Sequence, residues 1–317
     1  MIRRLAALLA GMSLVFGTPP APAARPANTT APGVESNVVY GMYSGLGLLL
    51  DVHHPAKPNG FGVVFISGSG WQADQNYGAT PLKSQQIPLW GPPLLAAGYT
   101  VFALNHRAAP RFHYPAAIDD VQRAIRFVRH NSAAYGIDPA HLGGVGGSSG
   151  GHLLGLAAML ATPGDAASAD PVERESATLQ AVVLRAPLLD LRNVGTVEGN
   201  TYITSFMEAP PSNASAAAAY AAASPITHVS ATSPPVLLLH GDADTLVPLA
   251  QSEAMERALR AAGVPVRLVR IPGGIHGADF GASQRRADWP DYYADTVRWL
   301  DQYLRGRVTP DPARSSR

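Results

Sequence analysis

The sequence contains no cysteine. That absence excludes a thiol nucleophile, a thiolate metal site, a cysteine-linked lipid anchor and any disulfide framework, so a chain of 317 residues must rest on its core. Charge is also sparse: 15% of residues are Asp, Glu, Lys or Arg, and the formal balance is only +1. With neither sign in excess and 46% apolar residues, both a nucleic-acid partner and a disordered body are disfavoured.

A membrane-spanning run of roughly 20 apolar residues is lacking as well. The apolar stretch at residues 5–17 is shorter, follows a basic start with Arg3 and Arg4, and precedes the small-x-small triplet Ala21-Pro22-Ala23. This reads as a cleavable signal peptide over residues 1–24, which predicts a secreted or periplasmic protein with no stable membrane anchor after cleavage. Residues 25–36 read as a flexible lead-in, residues 37–305 as one domain, and residues 306–317 as a flexible tail.

Within the body, short apolar runs alternate with stretches of helical period. Val63 to Ser67, Thr100 to Leu104, Ala181 to Ala186, Val236 to His240 and Val266 to Ile271 are continuous or β-branched, as strands buried on both faces are; HLGGV from His141 is a weaker sixth. Val121, Ala124, Ile125 and Val128 recur at i, i+3, i+4 and i+7, with Arg123, Arg126 and Arg129 on the opposite, solvated side. Met255, Ala258, Leu259 and Ala262 repeat that spacing and end at Gly263, while Tyr293, Val297, Leu300 and Leu304 mark a last helix. NVVYG and LGLLLDV flank a Gly45 turn and suit an antiparallel hairpin at a sheet edge. The pattern is α/β, a mostly parallel central sheet with helices on both faces. Two stretches, 162–178 and 192–233, fit no regular element, and the second is long enough to serve as a cap inserted before the strand at Val236.

The sharpest local signal is GVGGSSGGHLLGLAAML, a short strand running through Gly146-Gly147-Ser148-Ser149-Gly150 into a helix. A serine on so sharp a turn is strained, and side chains two before and two after it would collide, hence the flanking glycines. The pentapeptide alone also fits Ser149. The strand-helix frame favours Ser148, leaving Ser149 to supply the backbone N–H that follows the nucleophile. Such a serine needs an imidazole as base and a carboxylate behind it. Asp242 and Asp244 end one strand, and His276 lies in the glycine-rich loop after the next. The order Ser, Asp, His matches α/β-hydrolases and no other triad fold considered.

Four motifs now carry a family resemblance: NHRAAPRFHYPAAIDDV, GGSSGGHL, ASPITHV and HGDADTLVP. The chain resembles the acetyl-esterase and hormone-sensitive-lipase-like branch of the α/β-hydrolase superfamily over most of its length. The resemblance implies an α/β-hydrolase fold and a serine carboxylesterase for short acyl, including acetyl, esters, with Ser148, Asp244 and His276 as triad. Asp242 is then a turn residue and Asp190 a pocket or structural residue, both standing as alternative acids. An oxyanion hole from Ser69, Gly70 and Ser149 is implied, with Trp71, Asp190, Tyr202, Phe206 and Met207 as candidate pocket residues. Where the family has H-G-G-G-W, this chain has Ser67-Gly68-Ser69-Gly70-Trp71, which keeps the backbone N–H groups but alters the loop.

No metal or cofactor is expected: His53 and His54 are adjacent on a strand and face opposite ways, and the other histidines lack ligand spacing. The expected partner is a small-molecule or carbohydrate ester. Two other readings share the fold: an exported peptidase of prolyl-oligopeptidase type, for whose accessory domain there is no room, and a non-catalytic binding protein.

Overall fold

The computed structural model describes residues 32–74, 76, 80–193, 201–276 and 286–307; the leader at 1–24 and most of the lead-in lie outside the described residues. β1 (Gly33–Tyr43) and β2 (Leu46–His54) form the hairpin around Gly45. β3 (Gly62–Ile66), β4 (Thr100–Leu104), β5 (Leu142–Gly147), β6 (Ala181–Arg185), β7 (Val236–Gly241) and β8 (Val266–Ile271) complete one sheet in the order β1-β2-β4-β3-β5-β6-β7-β8. β1, β2 and β4 pair antiparallel, and every later pair is parallel. The glycine-rich β5, the faintest strand in the sequence, lies between β3 and β6 and so points the chain after Gly147 out of the middle of the sheet.

Strand side chains alternate between two apolar layers. Val63, Phe65, Val101, Ala103, Val183, Leu237 and Leu239 enter one; Val64, Ile66, Phe102, Leu104, Val182, Leu184 and Leu238 enter the other. Both faces are covered, which is why these runs are continuously apolar rather than alternating with polar residues.

The helices are α1 (Leu82–Gln85), α2 (Ile87–Ala96), α3 (Ala116–His130), α4 (Ser132–Tyr135), α5 (Ser149–Leu160), α6 (Thr201–Met207), α7 (Ala217–Ala222), α8 (Ala250–Ala261) and α9 (Tyr292–Leu304). α2 and α9 cover the first layer, through Trp90, Leu94, Leu300 and Leu304; α3, α5 and α8 cover the second. α3 buries the stripe its period predicts, and Gly263 takes the left-handed conformation just past α8. α2 could not be read from the sequence because Pro92 and Pro93 lie inside it. Burial of Ile87, Trp90 and Leu94 offsets the missing hydrogen bonds.

Two expectations need correction. The 192–233 stretch is not without regular structure, since it holds α6, α7 and two short 3₁₀ turns at Ala214–Ala216 and Pro225–His228. The α3 arginines are not a solvated face. Arg129 is buried and donates to the carbonyls of Pro139, Ser176 and Thr178; Arg126 reaches the Glu175 and Pro163 carbonyls; Arg123 pairs with Asp170 and Glu173. Backbone that makes no ladder bonds needs donors from elsewhere, and these guanidinium groups supply them to the 162–178 segment.

Candidate active site

The turn from β5 into α5 is built around Ser148, whose φ of 51° and ψ of −125° lie outside the favoured regions for an L-residue. A side chain at Gly150 would put its Cβ 2.3 Å from the Ile66 carbonyl oxygen, and one at Gly146 would come within 2.7 Å of the Gly150 carbonyl oxygen. The two flanking glycines are therefore a steric requirement of the turn. Ser148 N–H donates to the Arg185 carbonyl at 2.7 Å, which ties the strained residue to β6.

His276 Nε2 lies 3.1 Å from Ser148 Oγ, and its Nδ1 lies 2.8 Å from Asp244 Oδ2. A carboxylate only accepts, so Nδ1 carries the ring hydrogen and Nε2 is left to accept the serine proton. The other oxygen of Asp244, Oδ1, accepts the Leu246 and Val247 backbone N–H groups at 3.0 and 2.8 Å. Burial alone would raise the Asp244 pKa, but the His240 imidazole beside it and hydrogen bonds from His276 and the Val247 N–H outweigh it and hold the carboxyl well below the usual range. Asp244 is thus ionised at any pH where His276 can act as a base.

The alternative residues are engaged elsewhere. Asp242 is exposed and accepts the Gly273 N–H at 2.6 Å, a turn contact. Asp190 accepts the Arg192 side chain and does not line the cavity in front of Ser148. Ser149 is fully buried, and its Oγ accepts the Ser69 N–H at 2.9 Å.

That last bond alters the expected oxyanion donors. Ser69 N–H is already engaged by Ser149, so of the three residues named from the sequence only Gly70 and Ser149 have backbone N–H groups that meet no acceptor among the described residues. Ser149 N–H also stands at the first turn of the 12-residue α5, where helix geometry leaves donors unused and the dipole favours negative charge. The altered loop is well braced. Gln86 Oε1 accepts the Gly68 N–H at 3.0 Å, Gln86 Nε2 donates back to the Gly68 carbonyl at 3.4 Å, and Ser67 Oγ accepts the Gln86 N–H at 3.3 Å.

A cavity of about 260 Å³ opens in front of Ser148, lined by Gly68, Ser69, Gly70, Trp71, Gln86, Leu188, Tyr202, Leu246, Val247 and His276. Trp71 and Tyr202 line it as expected. Phe206 and Met207 do not: both are buried behind it, with Phe206 stacked on the Trp71 ring at 4.6 Å and 12°. Tyr202 and Phe206 share one face of α6, a turn apart, so helical period does not separate them: Tyr202 lies against Gly70 at the cavity, and Phe206 lies one turn deeper against the Trp71 ring. Trp71 Nε1 donates to His152 Nδ1 at 3.0 Å, and His152 Nε2 donates to the Ala223 carbonyl at 2.7 Å. The loop, α5 and the insertion carrying α6 and α7 are therefore joined through one buried imidazole, whose burial lowers its pKa to about 4.

Gln86, Leu188, Leu246 and Val247 were not foreseen. Leu246 and Val247 lie within the HGDADTLVP motif and could have been found from it, but Gln86 comes from the junction of α1 and α2, which no local pattern marks. Among the described residues no three His, Asp or Glu side chains gather as metal ligands would, and no helix is long and apolar enough to cross a membrane.

A Ser-His-Asp constellation at the carboxyl ends of β5, β7 and β8, on a sheet of this order, defines an α/β-hydrolase fold. The BD-FAE family profile matches residues 50–259, and the chain belongs to that family. It is 33% identical over 233 residues to Esterase LipQ of Mycobacterium tuberculosis, covering 70% of this chain and 51% of that protein. It is 32% identical over 226 residues to the Probable carboxylic ester hydrolase LipM of the same organism, covering 70% and 50%. The chain thus spans about half the length of these curated relatives. Among solved structures, a truncated carbohydrate esterase from gut microbiota superposes with a TM-score of 0.72 at 29% identity, covering 88% of this chain and 99% of that one. An acetyl ester-xyloside bifunctional hydrolase from Caldicellulosiruptor lactoaceticus gives 0.72 at 25% identity, covering 87% and 98%.

Proposed function

We propose that this protein is a serine carboxylesterase acting on short-chain acyl esters, with Ser148 as nucleophile, His276 as general base and acid, and Asp244 as the acid that orients His276. The observation that carries the reading is the continuous chain of contacts from Ser148 Oγ through both ring nitrogens of His276 to Asp244. Ser148 Oγ adds to the ester carbonyl as its proton passes to His276 Nε2. The resulting oxyanion is met by the Gly70 and Ser149 N–H groups beside the start of α5. Collapse expels the alcohol, protonated by His276, and leaves an acyl-serine; water, deprotonated by the same ring, releases the acid. The cavity in front of Ser148, about 260 Å³, supports a small acyl group. The names of the relatives, esterases and carbohydrate or acetyl esterases, support ester over peptide bonds.

The test is a fluorophosphonate probe followed by peptide mapping, with p-nitrophenyl esters of increasing acyl length, acetylated xylan and a peptide as substrates. Label on Ser148 and turnover that peaks at short chains are expected. Label on Ser149, or on no serine, sinks the assignment. His276→Ala is expected to cut turnover by about 10⁴ or more, as is Asp244→Asn; a mild Asp244→Asn beside a damaging Asp190→Asn would move the acid.

The reading includes export, supported by the basic start, the apolar run at residues 5–17 and Ala21-Pro22-Ala23. It also treats residues 37–305 as one hydrolase unit capped by the 192–233 insertion. N-terminal sequencing of the protein recovered outside the cytoplasm is expected to begin just after residue 24; recovery only as full-length cytoplasmic chain would overturn export.

A further inference from the structure

A second histidine stands behind the proposed triad acid and takes no part in the proton transfers above. His240 is the last residue but one of β7 and is fully buried. Its Nδ1 lies 2.8 Å from Ser252 Oγ on α8, its Nε2 lies 2.9 Å from the Val247 carbonyl, and the same Nε2 lies 3.5 Å from Asp244 Oδ2. These contacts decide the tautomer. A carbonyl and a carboxylate both accept, so a lone pair on Nε2 would be repelled by two oxygens at once, and Nε2 must carry the hydrogen. In a ring carrying that one hydrogen, Nδ1 accepts, and the Ser252 hydroxyl is the donor it meets.

We propose that His240, fixed in its Nε2–H form by Ser252, is a positioning residue for Asp244. Asp244 Oδ2 faces two imidazoles, His276 at 2.8 Å and His240 at 3.5 Å, while Oδ1 is held by the Leu246 and Val247 N–H groups. The His240 N–H donates to the Val247 carbonyl at 2.9 Å and passes 3.5 Å from Oδ2, which fixes the turn whose Leu246 and Val247 N–H groups hold Oδ1 and keeps a positive N–H end beside the carboxylate. The carboxylate cannot turn about its own bond without losing a donor. The nearby N–H also offsets part of the carboxylate's charge, which limits how strongly Asp244 stabilises the imidazolium form of His276. Ser252 works one step further back: without its hydroxyl the proton of His240 can move to Nδ1, and Nε2 would then present a lone pair to Asp244. The inference rests on the triad reading above.

The test uses the full mature chain. In ¹⁵N-histidine NMR, His240 is expected to carry a hydrogen on Nε2; a ring protonated on Nδ1 alone overturns the proposal whatever the enzyme does. His240→Phe is expected to lower kcat/KM for a short p-nitrophenyl ester by about 10- to 100-fold, the cost of a loosened catalytic group. The acid limb of its kcat/KM–pH profile should also move to higher pH, because a carboxylate without that nearby N–H binds the His276 imidazolium more tightly. A role confined to packing would lower the melting temperature and leave the limb where it is, and that outcome refutes positioning. Should His240→Phe fail to fold, Ser252→Ala keeps the ring and removes only the hydroxyl. It is expected to populate the Nδ1–H form and move the limb in the same direction by less, and an unchanged tautomer and limb there count against the proposal. If wild-type Ser148 is not labelled by the fluorophosphonate, the triad reading fails, while the tautomer measurement still decides the His240 geometry.

Discussion

The two long connections of this chain, 162–178 and 192–233, look alike as sequence and differ in how they are held. The first is bound by charge-assisted hydrogen bonds: Arg123, Arg126 and Arg129 of α3 reach its carbonyls and its Asp170 and Glu173 carboxylates. The described part of the second is bound mainly through apolar and ring contacts, with Phe206 stacked on Trp71 and edge-on to His152 and Tyr114. Those rings lead to the loop and helix around Ser148; the arginine clamp leads away from them. Whether an insertion matters to chemistry is decided by what it is packed against.

Phe206→Ala should show the largest effect, about 3–5 kcal/mol of stability from the emptied space, together with reduced kcat because Trp71 loses its stacking partner. Chemical denaturation and ester kinetics check both halves; lost stability with unchanged kcat would separate α6 from the site. Next is pH. His152 is neutral when folded, with a pKa of about 4, against about 6.5 when unfolded. A depressed histidine contributes stability that is present above pH 6.5 and is lost as pH falls toward 4, where the unfolded chain binds the extra proton. The loss should approach about 3 kcal/mol. Urea titrations from pH 7.5 to 4 should show a slope that flattens in His152→Gln, and equal slopes would exclude this histidine as its source. Arg129→Ala should cost roughly 1–3 kcal/mol by stranding buried carbonyls, yet leave kcat/KM within about twofold of wild type; a catalytic defect there would break the contrast between the two insertions. Smallest in stability is Tyr202→Ala. This side chain is 45% exposed, so folding should change by less than about 0.5 kcal/mol, while the acyl-length optimum moves to longer chains.

Much of the fold was legible because a sheet covered on both faces demands continuous apolar strands, and helices lying on it demand a 3.6-residue stripe. The elbow was legible for a steric reason, since Gly146 and Gly150 answer contacts that any side chain would violate. The misreadings have equally physical causes. α2 hides behind Pro92 and Pro93, and the α3 arginines carry the same period whether they meet water or a neighbouring loop. In the pocket, Phe206 and Met207 are as apolar as Tyr202, and only the direction of α6 sends them behind the cavity instead of into it.

What the sequence by itself determined is local: the turn at Ser148, the strands and helices that flank it, and the order in which serine, aspartate and histidine occur. Each follows from steric or periodic rules acting over a few residues. What only the tertiary structure decided is which groups meet across long separations: Ser69 N–H with Ser149 Oγ, Gln86 with Gly68, Trp71 with His152, and His240 with Ser252. Hydrogen bonds are short and directional, so a pattern along the chain names the donors and acceptors, and only the packed sheet brings a particular pair within 3 Å.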